Sequence, residues 1–233
     1  MPVFLGNVAN LEGRVRSHLE KLTHPSYLQE LCRTFAEKEK RDIVYMLVLD
    51  YVTSHAGSSK HFSLAVDHFL RVWNSAYYEN NPRVDVGLRS DLEELHESCK
   101  ADLQALNEKC LGGLDTQDMS SARKLFELFG KKKSIAWTGA SKALHMAAPH
   151  TFMMWDTSIR EAYHQLHRQS HGYAECYLEF MDQSNELAKQ ILRSGDGHKI
   201  TESHPSFVQL QFRKTLAKMI DECNYMEFTW TYY

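Results

Sequence analysis

The stretch that decides the fold is Leu88-Arg89-Ser90-Asp91-Leu92-Glu93-Glu94-Leu95-His96-Glu97-Ser98-Cys99-Lys100-Ala101-Asp102-Leu103-Gln104-Ala105-Leu106-Asn107-Glu108-Lys109-Cys110. Its apolar residues Leu88, Leu92, Leu95, Cys99, Leu103, Leu106 and Cys110 step by 4, 3, 4, 4, 3 and 4 positions. Those steps repeat with the 3.6-residue turn of an α-helix, and the residues between them are polar. The segment therefore reads as a long amphipathic helix, stopped by Gly112-Gly113.

Helical periodicity continues in both directions. Leu11 to Lys38 reads as one or two helices broken at Thr23-His24-Pro25. Arg41 to Thr53 is apolar nearly all round and is expected to be a central, buried helix. Phe62, Val66, Phe69, Leu70 and Trp73 recur at helical spacing through Tyr77, up to Asn80-Asn81-Pro82. A helix from about Ser120 to Phe129 meets Gly130 as a C-cap. Helices carrying Ile159, Tyr163 and Leu166, then Tyr173 to Ile191, precede a last helix from near Pro205 with Val208, Phe212, Leu216 and Ile220 on one face. The fold class is all-α: one domain over residues 1–233, built as one unit or as two interleaved helical lobes enclosing a cleft. A break between lobes would fall near Asn80-Asn81-Pro82 or Gly112-Gly113. The aromatic C-terminus from Tyr225 to Tyr233 is expected to pack back on the body.

Bulk properties exclude several classes. The 233 residues are 43% hydrophobic and 24% charged, an ordinary globular composition. No apolar run reaches the ~20 residues that span a bilayer, so no membrane partner is expected. The start, Met1-Pro2-Val3-Phe4-Leu5-Gly6, has no secretory pattern, and a cytoplasmic location follows. The five cysteines are scattered with no C-x-x-C pair, against a disulfide framework, a thiolate zinc site or an iron–sulfur cluster. Oligomeric state is left open by the sequence. Net charge is −3, but Arg123 to Lys142 carries six basic residues against Glu127 alone. Such a patch suits a phosphate backbone, whereas Asp91, Glu93, Glu94 and Glu97 crowd one acidic stretch.

Lys131 to Asp156 concentrates the candidate chemistry. It reads as helix end, basic loop, a helix of about two turns ending at Pro149, the apolar connector Phe152-Met153-Met154-Trp155, and Asp156 opening the next helix. This arrangement resembles the central part of the helix-hairpin-helix DNA glycosylases, over roughly 30 residues. In that family a glycine-containing hairpin leads into a helix with a lysine near its start, and an aspartate opens the next helix. The resemblance implies a base-excision repair glycosylase acting on a damaged base in double-stranded DNA without a cofactor, either bifunctional with AP-lyase activity or monofunctional with Asp156 and water. Carried over by position, Lys142 is the Schiff-base nucleophile and Asp156 the catalytic carboxylate. Gly139 and Ser141 belong to the hairpin, and with Lys131, Lys132 and Lys133 they would hold the phosphate backbone. Trp137, His145 and Trp155 are candidates for the wall of the base pocket. The chain departs from the family where Ser141 replaces a second hairpin glycine, and where the Lys142-to-Asp156 interval is about one helical turn short.

Other readings of the same residues stand beside this one. Asp156 also stands where a helix N-cap belongs, with Ser158 and Glu161 spaced as a capping box. The basic loop fits a non-catalytic DNA- or protein-binding module equally well. His164, His167 and His171 fall at i, i+3 and i+7, a spacing that could hold a transition metal on one helical face.

Overall fold

The computed structural model describes residues 8–164, 172–193 and 214–230. Among these the chain is helical throughout, with no strand. The elements are α1 (Val8–Leu22), α2 (Pro25–Lys38), α3 (Asp42–Ser54), α4 (Ser59–Trp73), α5 (Ser75–Asn80), a short 3₁₀ turn (Asp85–Gly87), α6 (Leu88–Ser98), α7 (Lys100–Asn107), α8 (Thr116–Gly130), α9 (Ala136–Ala147), α10 (Thr157–His164), α11 (Tyr173–Arg193), α12 (Leu216–Asn224) and a π-helical turn (Tyr225–Thr229). The helix α4 lies at the centre, packed against α3, α6 and α9, while α8 packs on α9 and α11, and α12 on α2. Buried side chains from Val15 in α1 to Phe228 in the π turn form one continuous apolar cluster. No described helix is long and apolar enough to cross a membrane.

Local chemistry explains the boundaries. Pro25 occupies the first turn of α2, where its missing N–H costs nothing. Asp115 caps α8 by accepting from the backbone N–H of Gln117 and Asp118, and Asp118 returns a bond to the Asp115 N–H. The long stripe divides into α6 and α7 at Cys99; its leucines are all buried, whereas Cys110 falls beyond the helix and is exposed. All five cysteines are free thiols.

Three elements differ from the sequence expectations. The helix α3 is not central: it buries only Asp42, Tyr45 and Val48, while Ile43 and Leu47 are 54% and 64% exposed. A uniformly apolar helix gives no face preference, and here the buried face is chosen by a polar residue, Asp42, which reaches Lys214 at 2.6 Å. Gly130 is not a left-handed C-cap but the last residue of α8, and a Cβ there would strike the Trp137 ring at 2.1 Å. The helix carrying Phe62 to Trp73 stops at Asn74, before Tyr77. The helix end leaves the Trp73 carbonyl without its helical partner.

The turn before α8 is held by a single side chain from α11. Asn185 Oδ1 accepts from the backbone N–H of Gly112 (2.7 Å) and Leu114 (3.2 Å), and its Nδ2 donates to the Leu114 carbonyl (3.0 Å). Gly112 adopts φ +94, and an added Cβ would press on the α11 backbone at Lys189. Asn185→Ala would leave buried amides unpaired, and should lower the unfolding free energy by about 2–4 kcal/mol in urea denaturation.

Candidate functional site

A cavity of about 290 Å³ opens where α4, α9, the start of α10 and α12 meet. Lys142, Asp156, Asp221, Trp73, Asn74, Trp155, Arg41, Tyr225 and Thr229 line it. Two of these, Lys142 and Asp156, are the paired residues expected from the sequence. The connector Phe152–Trp155 is buried and carries the chain from α9 back to the cavity, so that both residues line it.

Lys142 sits in the second turn of α9 and is only 6% exposed. Its Nζ donates to the Trp73 carbonyl, the group freed by the break between α4 and α5. Burial disfavours the ammonium more strongly than Asp156 and Asp221 favour it, and Arg41 and Lys218 add repulsion, so the pKa falls to about 8. A lysine with such a pKa holds roughly a tenth of its amine unprotonated at pH 7, against ~3 parts in 10,000 for an ordinary one.

Asp156 caps α10: Oδ1 accepts from the Ile159 N–H at 2.9 Å, and Oδ2 accepts from the Thr229 hydroxyl at 2.6 Å. Asp156 is thus the cap, and Ser158 and Glu161 lie within the helix rather than forming a capping box. The cap role and a place on the cavity coexist, because the helix N-terminus favours negative charge where the cavity opens.

Beneath the cavity lies a cluster of buried charge. Lys218 Nζ reaches Asp221 at 3.1 Å and Glu222 at 3.6 Å, and Lys214 reaches Glu222 at 2.5 Å and Asp42 at 2.6 Å. The Lys218 ammonium also lies over the rings of Phe35 and Tyr45, 4.7 Å from each centroid. Burial opposes both ammonium groups, but the carboxylates outweigh it and raise both lysines above the ordinary value. Burial likewise raises Asp221 and Glu222 while the lysines pull them down. The close contacts favour charged partners throughout, since each ion would otherwise be stranded out of water.

The remaining expected site residues fall elsewhere. Gly139 is not in the hairpin turn; it is buried within α9, where a Cβ would meet Ile135 and Asn74 on the side facing α4. The sharp turn lies earlier, at Ala136, which adopts φ 56. Ser141 is buried too, accepting from the Trp155 N–H at 3.2 Å and donating to the Thr138 carbonyl at 2.9 Å. Neither therefore presents itself to a phosphate.

Trp137 does not line the cavity: its ring stacks on Tyr173 (5.3 Å) and fills the space beside Gly130. His145 is a core residue, with Nδ1 donating to the Phe152 carbonyl (2.6 Å) and Nε2 accepting from the Tyr45 hydroxyl (2.9 Å); burial lowers its pKa to about 3. Trp155 alone of the three pocket candidates reaches the cavity wall.

The basic loop is largely answered from within. Lys131 pairs with Glu127, and Lys132 pairs with Asp91 and Glu94 from the acidic stretch; Lys133 makes no ion pair among the described residues. Arg123 and Lys124 are paired with Glu127, Glu175 and Asp102. The histidine set cannot be assembled, because His167 and His171 lie outside the described residues; among those described, no three potential metal ligands cluster.

Sequence reading missed Asp221, Tyr225, Thr229, Arg41, Trp73 and Asn74. The spacing of Asp221, Tyr225 and Thr229 at i, i+4 and i+8 places them on one face. The π turn, closed by the Trp230 N–H donating to the Tyr225 carbonyl, keeps that face toward the cavity.

No protein-family model, no curated protein and no solved structure matches this chain, so the chemistry of the cavity has to be argued from its own side chains. Lys218→Met would leave the buried Asp221 carboxylate without its ion-pair partner, while Glu222 keeps Lys214. It should cost about 3–5 kcal/mol of stability in chemical denaturation, far more than a surface lysine.

Proposed function

We propose that this protein is a DNA base-excision glycosylase with AP-lyase activity, acting on a damaged base in duplex DNA. Lys142 is the nucleophile and Asp156 the carboxylate that offsets positive charge developing on the sugar. The observation that carries the reading is a buried lysine amine, depressed to about pH 8, opening on the same cavity as an aspartate carboxylate.

The chemistry uses each feature. A desolvated amine is available near neutral pH to attack the sugar C1′. An electron-rich carboxylate on a fixed helix terminus stabilises the oxocarbenium-like charge that builds as the base departs. About 290 Å³, walled by the Trp73, Trp155 and Tyr225 side chains, suits one flat heterocycle extruded from the duplex. DNA binding at the Lys131–Lys133 loop would exchange its ion pairs with Glu127, Asp91 and Glu94 for phosphate contacts, and would weaken as salt rises. The cap role of Asp156 favours, as the rival, a non-catalytic helical module.

The test is borohydride trapping on duplexes carrying an abasic site or a panel of oxidised, deaminated and alkylated bases. Wild type should form a covalent adduct, faster as pH rises through about 8 because the lowered folded-state pKa releases the amine there. Lys142→Ala should form none. Asp156→Asn should keep the adduct with abasic DNA but slow base release by about 10²–10³-fold. No adduct and no base release across the panel would leave only the binding module.

A further inference from the structure

We propose that Asp221 is the residue that reads the extruded base, its uncommitted carboxylate oxygen accepting an N–H from the edge of the heterocycle. The inference rests on the glycosylase reading above and narrows its substrates. They are deaminated or oxidised bases that keep a hydrogen on the edge nitrogen, not bases alkylated there.

The two cavity carboxylates differ in what they have left to offer. Each oxygen of Asp156 already accepts a hydrogen bond, one from the Ile159 N–H and one from the Thr229 hydroxyl. Asp221 Oδ2 accepts from the Lys218 ammonium at 3.1 Å, whereas Oδ1 has no hydrogen-bond partner among the described residues. Asp221 is only 6% exposed and lines the cavity, so an occupant of the cavity is what that oxygen can meet. The ion pair with Lys218 holds the carboxylate ionised, and an ionised carboxylate can only accept. The complement it selects is therefore a donor.

Two more polar groups from the same lining stand unpaired. Trp155 is 2% exposed and Trp73 is partly buried, and the indole N–H of each has no hydrogen-bond partner among the described residues. Buried polar groups cost stability unless something answers them. One acceptor and two donors among aromatic walls match a flat heterocycle, whose edge sets N–H groups beside carbonyl oxygens or ring nitrogens. Lys142 and Asp156 are left to the sugar. A methyl group on the edge nitrogen would remove the hydrogen that Oδ1 accepts and strand a desolvated, charged oxygen against an apolar group.

The test is single-turnover base release from duplexes carrying uracil, hypoxanthine or hydroxyuracil, each beside its counterpart methylated at the edge nitrogen. Wild type should release an unsubstituted base about 100-fold or more faster than the methylated one. Asp221→Asn leaves its one oxygen to Lys218 and turns an NH2 group to the cavity, donor against donor. Release of the unsubstituted base should then fall by about 10–100-fold, and its advantage over the methylated base should shrink to a few-fold. Trapping on abasic DNA, where there is no base to read, should fall far less. A purely structural Asp221 would instead lower trapping and both releases together and keep the wild-type ratio, and that result overturns the proposal. So would a wild type that releases the methylated bases as fast, or one that traps abasic DNA but releases none of the unsubstituted bases. If Asp221→Asn fails to fold, Asp221→Glu keeps the charge beside Lys218 and displaces the reading oxygen by one methylene, and the same narrowing of the ratio is expected. A wild type that gives neither adduct nor base release on any duplex would sink the glycosylase reading, and this inference with it.

Discussion

An ammonium group that meets no water, that of Lys218, is the constraint on which the rest of the structure depends. Its chain is wholly buried, and three aromatic rings and two carboxylates surround it. Removing one partner from such a set leaves a charge that nothing compensates, so the elements supplying the partners are tied together. Those elements are α2 through Phe35, α3 through Tyr45, the end of α4 through Trp73, and α12 itself, and Asp42 of α3 joins the set through Lys214 and Glu222. The cavity is what remains above this cluster, and Asp221 belongs to both.

The same electrostatics divides the lysines into two kinds. Lys214 and Lys218 have carboxylates in contact and stay charged despite burial. Lys142 has only a backbone carbonyl as its hydrogen-bond partner, with Asp156 and Asp221 acting across the cavity, and its ammonium is disfavoured. Equal burial thus gives opposite outcomes according to what touches the nitrogen. The break between α4 and α5 at Asn74 matters here, because the carbonyl that holds Lys142 is one that a continuing helix would have used.

Much of the fold was legible because leucine spacing reports a buried helical face directly, as in Leu88 to Leu106, and because Pro25 and the Asn80–Pro82 turn mark ends by fixed backbone preferences. The class of fold followed from that, whereas Lys142 and Asp156 were singled out by the family resemblance, and both line the cavity. What could not be read was burial of charge. The run Lys214 to Glu222 looks like a helix with one apolar and one solvated face, yet Lys218, Asp221 and Glu222 are inside. Partners 170 or more residues away, such as Asp42 for Lys214, leave no local trace. Gly139 misled for a related reason: a glycine in a helix serves close packing as often as a turn, and here Ala136 makes the turn instead. The basic run Lys131–Lys133 and the acidic run from Asp91 to Glu97 were each visible, but their mutual pairing needed the packing of α6 beside the loop.

The most direct test of this account is the titration of the Lys142 amine itself. Reductive ¹³C-methylation of the lysines, followed by NMR of the methyl resonances against pH, reads each amine separately, and Lys142→Ala identifies the resonance. A midpoint near pH 8 for Lys142, well below the surface lysines, is the expected result. A midpoint near 10.5, the ordinary lysine value, would mean that the amine is a solvated ammonium at neutral pH, and would contradict the nucleophile on which the proposed chemistry rests.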